Sequence, residues 1–379
     1  MKSKLRKHEP DFYILISTIM LVFIGVIMVY SASSPKALQE FGDPLHFFKR
    51  QLAWAVLGLF AMIIIMNIDY HIWKKHATAV YIFTIILGLL IFTPLGIELK
   101  GARRWINIGF TTFMPSDAIK LGSIIFYAAF LENKKDKVSK LIDGLVPAFL
   151  LIGLSTGLVY LQKDLSTSIT VAGTMLSMYF IAGMPYYVLI ISAGLAAILF
   201  KVAVYSEGNE YRLERIKSFR DPFADKLGDG YQIVQSLYAL GSGGLFGVGL
   251  GKSKQKFFYI PEAYNDFIFS IIGEELGLVG TTFILSLYAI IIFRAFHVAR
   301  NSNDKFALFV ASGIGSLIAI QALMNIAVVT SSIPPTGINL PFVSSGGTSL
   351  IFYLISIGIL LNISRYTKTG RSKKNEHNN

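Results

Sequence analysis

Ten apolar stretches are the feature that most limits what this chain can fold into. Each is long enough, or nearly so, to cross the roughly 30 Å hydrocarbon core of a bilayer as a helix. Inside lipid the backbone polar groups must be satisfied within the segment, which favours helices over open loops. We therefore predict an all-α polytopic membrane protein with ten transmembrane helices, at about residues 12–30, 50–67, 77–93, 115–131, 144–161, 165–182, 185–204, 266–295, 305–331 and 343–363.

The composition supports a membrane protein and excludes several kinds of site. Of the 379 residues, 53% are hydrophobic and only 15% are charged, against about 25% charged in soluble domains. The chain has no cysteine, so a disulfide framework and a cysteine metal site are both excluded. A nucleotide-binding G-x-x-x-x-G-K-[ST] motif is also absent from the sequence.

The distribution of Lys and Arg predicts how the chain is oriented in the membrane. Basic residues are dense near both termini and in alternate loops, and sparse in the remaining short loops. By the positive-inside rule, this pattern places both termini in the cytoplasm and the large loop between helices 7 and 8, about residues 205–265, outside. The net charge of +12 then reflects the orientation in the membrane and contact with anionic lipid. It indicates no nucleic-acid partner.

The domain organisation follows from the same pattern. Residues 1–366 are predicted to form one transmembrane domain. Residues 367–379, with the sequence TKTGRSKKNEHNN, are polar and basic and are expected to form a disordered cytoplasmic tail.

Three carboxylates lie at the start of the eighth predicted helix. A helix of about 30 residues is longer than the bilayer is thick, so Asp266 can lie at the outer head-group level, within reach of water and substrate. Glu274 lies about 12 Å deeper and about 80° round the helix from Asp266. It is therefore the glutamate that would share a cavity with Asp266, whereas Glu275 is expected to serve helix packing.

Other charged residues collect on the same predicted side. Lys120 follows Asp117 by three residues on one helix face, and a lysine at membrane depth needs a carboxylate or a ligand phosphate as its partner. Asp164 begins the sixth predicted helix, where it is either an N-cap or a functional carboxylate. Lys163 is placed to pair with Asp266 or with a phosphate. Residues 94–114 are expected to form an outer loop, which carries Arg103, Arg104 and Trp105.

Two segments of the large loop each allow two interpretations. The sequence GSGGLFGVGLG, residues 241–251, predicts a bent or re-entrant segment that needs small residues for packing, or a phosphate-binding nest. Residues 211–223 resemble an amphipathic helix lying in the outer interface. That helix would serve as a membrane anchor or as a clamp for anionic lipid.

Together these segments form a family pattern. The chain resembles the SEDS proteins (shape, elongation, division and sporulation: FtsW, RodA and SpoVE), and in particular the FtsW and SpoVE branch. The likeness covers most of residues 11–366 and is carried by MVYSAS, GARRWINIG, PSDAIKL, QKDLSTS, PPTGINLPFVSSGGTSL and the whole block from 231 to 277. By this resemblance, Asp266 matches the essential acidic residue of the family. Arg103 or Arg104, Trp105, Lys120 and Asp164 match positions around its central cavity.

The resemblance also implies an activity. It implies a peptidoglycan glycosyltransferase that polymerises lipid II on the outer face of the cytoplasmic membrane, together with a class B penicillin-binding protein and divisome or sporulation proteins. We expect Asp266 to act as the general base. Arg103, Arg104 and Lys120 would stabilise the departing polyprenyl diphosphate. No cofactor is obligatory, and a divalent cation (Mg²⁺ or Mn²⁺) near Asp164 or Asp266 is compatible with the sequence.

Two other functions are compatible with the same residues. Buried lysines and carboxylates would also suit a lipid II flippase, and the chain would also serve as a non-catalytic scaffold for the penicillin-binding protein. Polymer formed from lipid II distinguishes the enzyme from both. The sequence leaves open whether the protein acts in septation or in spore-cortex synthesis.

Overall fold

The structure is a computed structural model that describes residues 8–99, 102–109, 111–134, 137–205, 210–223 and 230–367. The tail predicted beyond Thr367 lies outside these residues. The described chain is mostly helical. Its α-helices, α1 to α13 in order, are Phe12–Phe41, His46–Asn67, His71–Lys75, Ala77–Leu89, Pro115–Asn133, Val146–Leu161, Leu165–Ile181, Tyr186–Tyr205, Glu210–Arg220, Tyr231–Gly243, Ile268–Arg300, Lys305–Val329 and Thr348–Ser364.

Each of the ten predicted apolar stretches lies largely within one of these helices. Six of the described helical segments are long and apolar enough to cross a bilayer: Phe12–Phe41, His46–Asn67, Leu141–Leu161, Tyr186–Tyr205, Ile268–Arg300 and Lys305–Val329. The segments 77–92, 165–181 and 348–364 are apolar but shorter. The chain is thus a multi-pass membrane protein, and the number of ten crossings stays a prediction.

A small sheet replaces part of the loop expected at residues 94–114. Strands β1 (Gly96–Leu99), β2 (Ala102–Asn107) and β3 (Thr112–Phe113) pair in that order, antiparallel throughout. The alternation typical of a strand explains the difference. Ala102 and Ile106 are buried on one face of β2, so this polar stretch packs one side onto the helices.

Helix α12 lies at the centre of the bundle. In its most apolar 18-residue window, 78% of the residues are buried, and it packs against α5, α7 and α11. Gly313 makes the close approach to α5 and α7 possible, because a Cβ there would lie 2.8 Å from Ile124 and 2.7 Å from Met178. Polar side chains of α12 and its neighbours are therefore held in fixed positions.

Polar contacts tie α1 to α11 at two levels. At one end the guanidinium of Arg294 donates to Asp11 (Nε–Oδ2 2.9 Å). At the other end the hydroxyl of Ser31 donates to Glu275 at 2.7 Å. Asp11 and Ser31 are 20 residues apart, or about 30 Å along a helix, which is the hydrocarbon thickness of a bilayer. We name the two levels the Asp11 end and the Asp266 end.

The glycine-rich segment 241–251 packs against a break in α11. Gly277 has φ +64° and ψ −163°, which interrupts the helix. The main chain of residues 244–249 fills the break, since Leu278 N–H and Val279 N–H donate to the oxygens of Gly244 and Leu245 at 2.9 and 3.0 Å. A Cβ at Gly247 would lie 2.1 Å from the main-chain oxygen of Glu275. The prediction that this segment needs small residues for packing is confirmed.

Candidate active site

Asp266 lies in a turn two residues before α11, not in the first turn of a longer helix as the sequence suggested. Its main-chain oxygen accepts from the side-chain amide of Asn325 in α12 at 2.8 Å. The helix begins at Ile268, with Phe267 as its N-cap residue. The carboxylate is half-buried and lies beside Gly337, where a Cβ would be 3.6 Å from Oδ2.

Gly337 belongs to residues 330–347, which join α12 to α13 and which we name the linking segment. The amide of Asn325 donates to Ile338 O in this segment at 2.7 Å, as well as to Asp266 O. Ser344 Oγ donates to Asn265 O at 2.6 Å, and Ser345 N–H donates to Tyr264 O at 3.0 Å. The turn that carries Asp266 is therefore fixed to the linking segment by its main chain.

Lys120 meets Asp117, one of the partners expected from the sequence. Both side chains are buried, and Nζ lies 2.9 Å from Oδ1 of Asp117. The second carboxylate oxygen of Asp117 accepts from the hydroxyl of Ser349, in the first turn of α13. A cavity of about 10 Å³ adjoins the pair, which is room for about one water molecule. Lys120 is thus enclosed by the protein, and Asp117 connects it to the first turn of α13.

The sheet places Arg103 and Arg104 on opposite faces of β2. The sequence left open which of the two lies beside the central cavity. Arg104 shares the packed face of β2, and its guanidinium donates to the main-chain oxygen of Lys163. Among the described residues its Nε–H is buried and has no partner. Arg103 lies on the opposite face with the half-buried Trp105, and its Nε is 3.8 Å from Oε2 of Glu98 in an exposed pair. Arg104 is the arginine that faces the helices.

Asp164 acts as an N-cap, one of the two roles considered for it. Its carboxylate accepts from Thr167 N–H at 3.1 Å at the start of α7. It also interacts electrostatically with Lys120. Lys163 is exposed and adopts φ +59°, a left-handed conformation that turns its carbonyl toward Arg104. One residue into α7, Ser166 Oγ donates to Thr336 O of the linking segment at 2.8 Å.

Glu274 and Glu275 both bind the loop that follows the glycine-rich segment. Glu274 accepts from Ser253 Oγ and from the N–H of Lys254, at 2.8 Å for the latter. Glu275 accepts from Lys256 Nζ at 3.0 Å and from Gly251 N–H at 2.9 Å. This geometry gives Glu275 the packing role that we expected. Glu274 has a similar packing role. Its predicted contact with substrate stays a prediction, and none of its contacts in the described residues supports it.

The linking segment brings most of the predicted residues into one arrangement at the Asp266 end. It touches Asp266 through Gly337 and Ser166 of α7 through Thr336, and the helix that follows it, α13, contacts Asp117 through Ser349. Asn325 and Ser349 were missed by the sequence reasoning. An asparagine inside the apolar run ALMNIAVV was the available signal, because a buried amide needs partners.

The described residues contain no cluster of three His, Cys, Asp or Glu side chains that would hold a metal ion. Asp164 is engaged as a helix cap, and Asp266 is the half-buried carboxylate beside the linking segment. A magnesium ion typically binds to one or two carboxylates together with substrate phosphates. The predicted divalent cation would therefore depend on the substrate for its other ligands.

Comparisons with known proteins define the class. The sequence profile of the FtsW, RodA and SpoVE family, described as cell cycle proteins, matches residues 12–369. The chain therefore belongs to this family. It is 43% identical to stage V sporulation protein E of Bacillus subtilis (strain 168), over 96% of this chain and 99% of that protein.

Other similar proteins share the whole length. A probable peptidoglycan glycosyltransferase FtsW of Trichlorobacter lovleyi is 40% identical over 99% of both chains. Among solved structures, a chain of a peptidoglycan synthase complex that coordinates polymerization and crosslinking superposes with a TM-score of 0.77 and 28% identity, covering 94% of this chain and 98% of that one. RodA of Thermus thermophilus gives 0.70 and 26%, covering 95% and 98%. The fold is that of RodA.

Proposed function

We propose that this protein is a peptidoglycan glycosyltransferase that polymerises lipid II into glycan strands. The observation that carries the proposal is the position of Asp266. Its half-buried carboxylate lies beside Gly337 of the linking segment, and the neighbouring Thr336 accepts a hydrogen bond from Ser166, two residues after Asp164 in the chain. A carboxylate at the same end of the bundle as Arg104 and Lys120 suits a reaction that removes a proton and releases an anion. The names of the relatives, probable peptidoglycan glycosyltransferase FtsW among them, support the same reaction.

Asp266 would serve as the general base. The acceptor sugar hydroxyl attacks the anomeric carbon of the donor, and its proton passes to the Asp266 carboxylate. The bond from that carbon to the phosphate oxygen breaks, and its electron pair leaves with the polyprenyl diphosphate. Asn325 and Ser344 hold the main chain on both sides of the Asp266 peptide. The base therefore does not have to be ordered during the reaction.

The cations would stabilise the departing diphosphate. Arg104 is suited to direct contact because a guanidinium binds phosphate oxygens through several N–H groups, and its Nε–H has no partner in the described part of the chain. Lys163 is exposed next to it. Lys120 is enclosed, so it would act through the field of its charge and by holding Asp117 and Ser349. Arg103 and Trp105, on the outer face of the sheet, would contact more distant parts of the substrate.

The proposed orientation places the Asp266 end outside the cytoplasmic membrane and both termini in the cytoplasm. The distribution of Lys and Arg in the short loops supports it. Lipid II carried to the outer face would then reach Asp266 near the head-group level. The donor is already activated as a diphosphate, so no nucleotide is required.

A class B penicillin-binding protein is the proposed partner, with divisome or sporulation proteins around it. The similarity to a chain of a synthase complex that coordinates polymerization and crosslinking supports such a pairing. A divalent cation, Mg²⁺ or Mn²⁺, bound jointly by Asp266 and the substrate diphosphate would assist departure of the leaving group.

Purified protein, together with its cognate penicillin-binding protein and lipid II, tests the proposal. We expect glycan polymer from the wild type and none from Asp266→Asn, which removes the base while keeping the side-chain shape. Asp43→Asn is the matched control, since Asp43 forms an exposed ion pair with Lys49 and should not affect polymerisation. Translocation of lipid II in liposomes without polymer would indicate a flippase instead. Normal growth of an Asp266→Asn strain would indicate a scaffold.

A further inference from the structure

A second cavity, of about 300 Å³, lies at the Asp266 end between α1 and the turn before α11. This volume is at the lower limit of typical small-molecule sites. Its walls are the last part of α1 and segment 256–264, and the lining side chains are Ala32, Lys36, Gln39, Glu40, Lys256, Phe258, Ile260, Pro261, Glu262, Ala263 and Tyr264. None of the roles proposed above uses this cavity.

The charges around this cavity differ from those near Arg104. Lys256 is fully engaged, because its Nζ donates to Glu275 at 3.0 Å, Gly251 O at 2.6 Å and Ser31 at 3.1 Å. Lys36 lies 3.0 Å from Glu262 and 3.7 Å from Glu40. With Glu275 included, three carboxylates therefore face two ammonium groups. A diphosphate would be repelled here, and a neutral ligand would not.

The remaining polar groups suit a ligand that carries hydroxyl and amide groups. Gln39 and Glu40 are exposed at the rim and offer amide and carboxylate hydrogen bonds. Burial, together with the neighbouring Glu262 carboxylate, raises the pKa of Tyr264 to about 12, so its hydroxyl stays protonated at physiological pH. Phe258 is an exposed lining residue and provides an aromatic surface for a sugar ring.

The cavity is also close to the proposed base. Tyr264 lines it, and Asp266 follows two residues later, so the two Cα atoms are at most about 7 Å apart. Glu262 also accepts from Asn265 Nδ2 at 2.6 Å. A ligand in the cavity would thus contact the same turn that presents Asp266.

We propose that this cavity binds the acceptor saccharide, the sugar whose hydroxyl attacks, while the donor diphosphate binds on the Arg104 side of Asp266. The inference rests on the proposed function and adds the location of the acceptor. The charges lining the cavity favour a neutral saccharide, whereas the guanidinium of Arg104, whose Nε–H has no partner among the described residues, favours the anionic group.

The test uses the purified full-length protein and a soluble, lipid-free N-acetylglucosamine oligosaccharide, which is neutral, as the probe. Saturation-transfer NMR should detect binding to the wild type and to Asp266→Asn. Gln39→Ala and Glu40→Gln should each weaken binding about two- to twelvefold, the range for losing one such hydrogen bond. Both residues are exposed, so neither change should prevent folding. Glu9→Gln, at an exposed glutamate before α1 at the Asp11 end, is the matched control and should bind as the wild type does.

The same variants are then assayed for polymerisation with the partner present. A higher lipid II concentration for half-maximal rate, with an unchanged maximal rate, supports an acceptor site. If the wild type polymerises lipid II but neither variant changes oligosaccharide binding, the cavity is not the acceptor site and the proposed function stands. If the oligosaccharide binds there but the wild type forms no polymer with its partner, the proposed function fails and the saccharide site remains without its assigned role.

Discussion

The side-chain amide of Asn325 donates to the main-chain oxygen of Asp266 at 2.8 Å, from within an otherwise apolar helix. The same NH₂ group donates to Ile338 O at 2.7 Å. One side chain therefore holds the turn of the proposed base against the linking segment. The contribution of these two hydrogen bonds to stability and to activity can be measured directly.

Replacing Asn325 by Leu should destabilise the protein and reduce polymerisation. Two buried carbonyl groups would lose their donor, at about 1–3 kcal/mol for each unsatisfied group. We expect a lower midpoint of thermal unfolding in detergent and at least a tenfold loss of polymer with the partner present. Asn303→Leu is the control, because Asn303 is an exposed asparagine at the other end of the bundle. Wild-type activity in Asn325→Leu would show that the hydrogen bonds of Asn325 do not position Asp266.

The two neighbouring arginines should differ in their effect on activity. Arg104 faces Lys163 and the helices, whereas Arg103 forms an exposed pair with Glu98. Arg104→Ala should reduce the polymerisation rate about tenfold or more, as expected for a charge-assisted contact to the leaving group. Arg103→Ala should reduce the rate several-fold less than Arg104→Ala, because Arg103 would contact only parts of the substrate distant from the leaving group. The opposite order in a gel assay of glycan products would contradict the assignment of faces.

The buried pair of Lys256 and Glu275 should show strong coupling. Both side chains are almost fully enclosed and their atoms lie 3.0 Å apart. Lys256→Met alone leaves a buried carboxylate without its cation, at about 3–5 kcal/mol. The double variant Lys256→Met with Glu275→Gln should recover much of that loss. Thermal unfolding of the two single variants and the double variant measures the coupling, and additive effects would contradict it.

Two glycines of α10 allow a matched test of how closely this helix packs against α11. A Cβ at Gly243 would lie 1.9 Å from Gly273 O, whereas a Cβ at Gly241 would meet nothing within 4 Å. Gly243→Ala should therefore separate the two helices and lower the yield of folded protein. Gly241→Ala should be neutral or stabilising by up to about 1 kcal/mol, because alanine favours a helix. Size-exclusion profiles and melting temperatures compare the two. Equal behaviour would argue against close packing at this point.

The sequence predicted the helices well because the backbone N–H and C=O groups of each apolar stretch must be hydrogen-bonded within the stretch, as they are in a helix. It also offered Asp117 as one of the partners of Lys120, since a three-residue spacing places both side chains on one helix face. Of the two interpretations of the glycines in residues 241–251, the packing requirement is confirmed by the close contacts at Gly243 and Gly247. These features are local in sequence, so local rules were sufficient.

Other features depend on residues far apart in the chain. The sheet at Gly96–Phe113 was expected to be a loop, because its hydrophobic alternation is short and interrupted by arginines. Glu274 was assigned to the cavity of Asp266 from the geometry of an ideal helix. The structure instead gives it partners at Ser253 and Lys254, and a helical projection cannot show a loop that folds back. The role of Asn325 required knowing that the linking segment passes beside Asp266.

The two ties between α1 and α11 limit how the protein can adjust to its membrane. Arg294 with Asp11 at one level, and Glu275 with Ser31 at the other, prevent the helices from sliding past each other. In a bilayer much thinner or thicker than about 30 Å, hydrophobic mismatch must then be absorbed by tilting both helices together or by deforming the lipid. Tilting would move Asp266 relative to the head groups, so acyl-chain length should govern how well this protein reaches a lipid-anchored substrate.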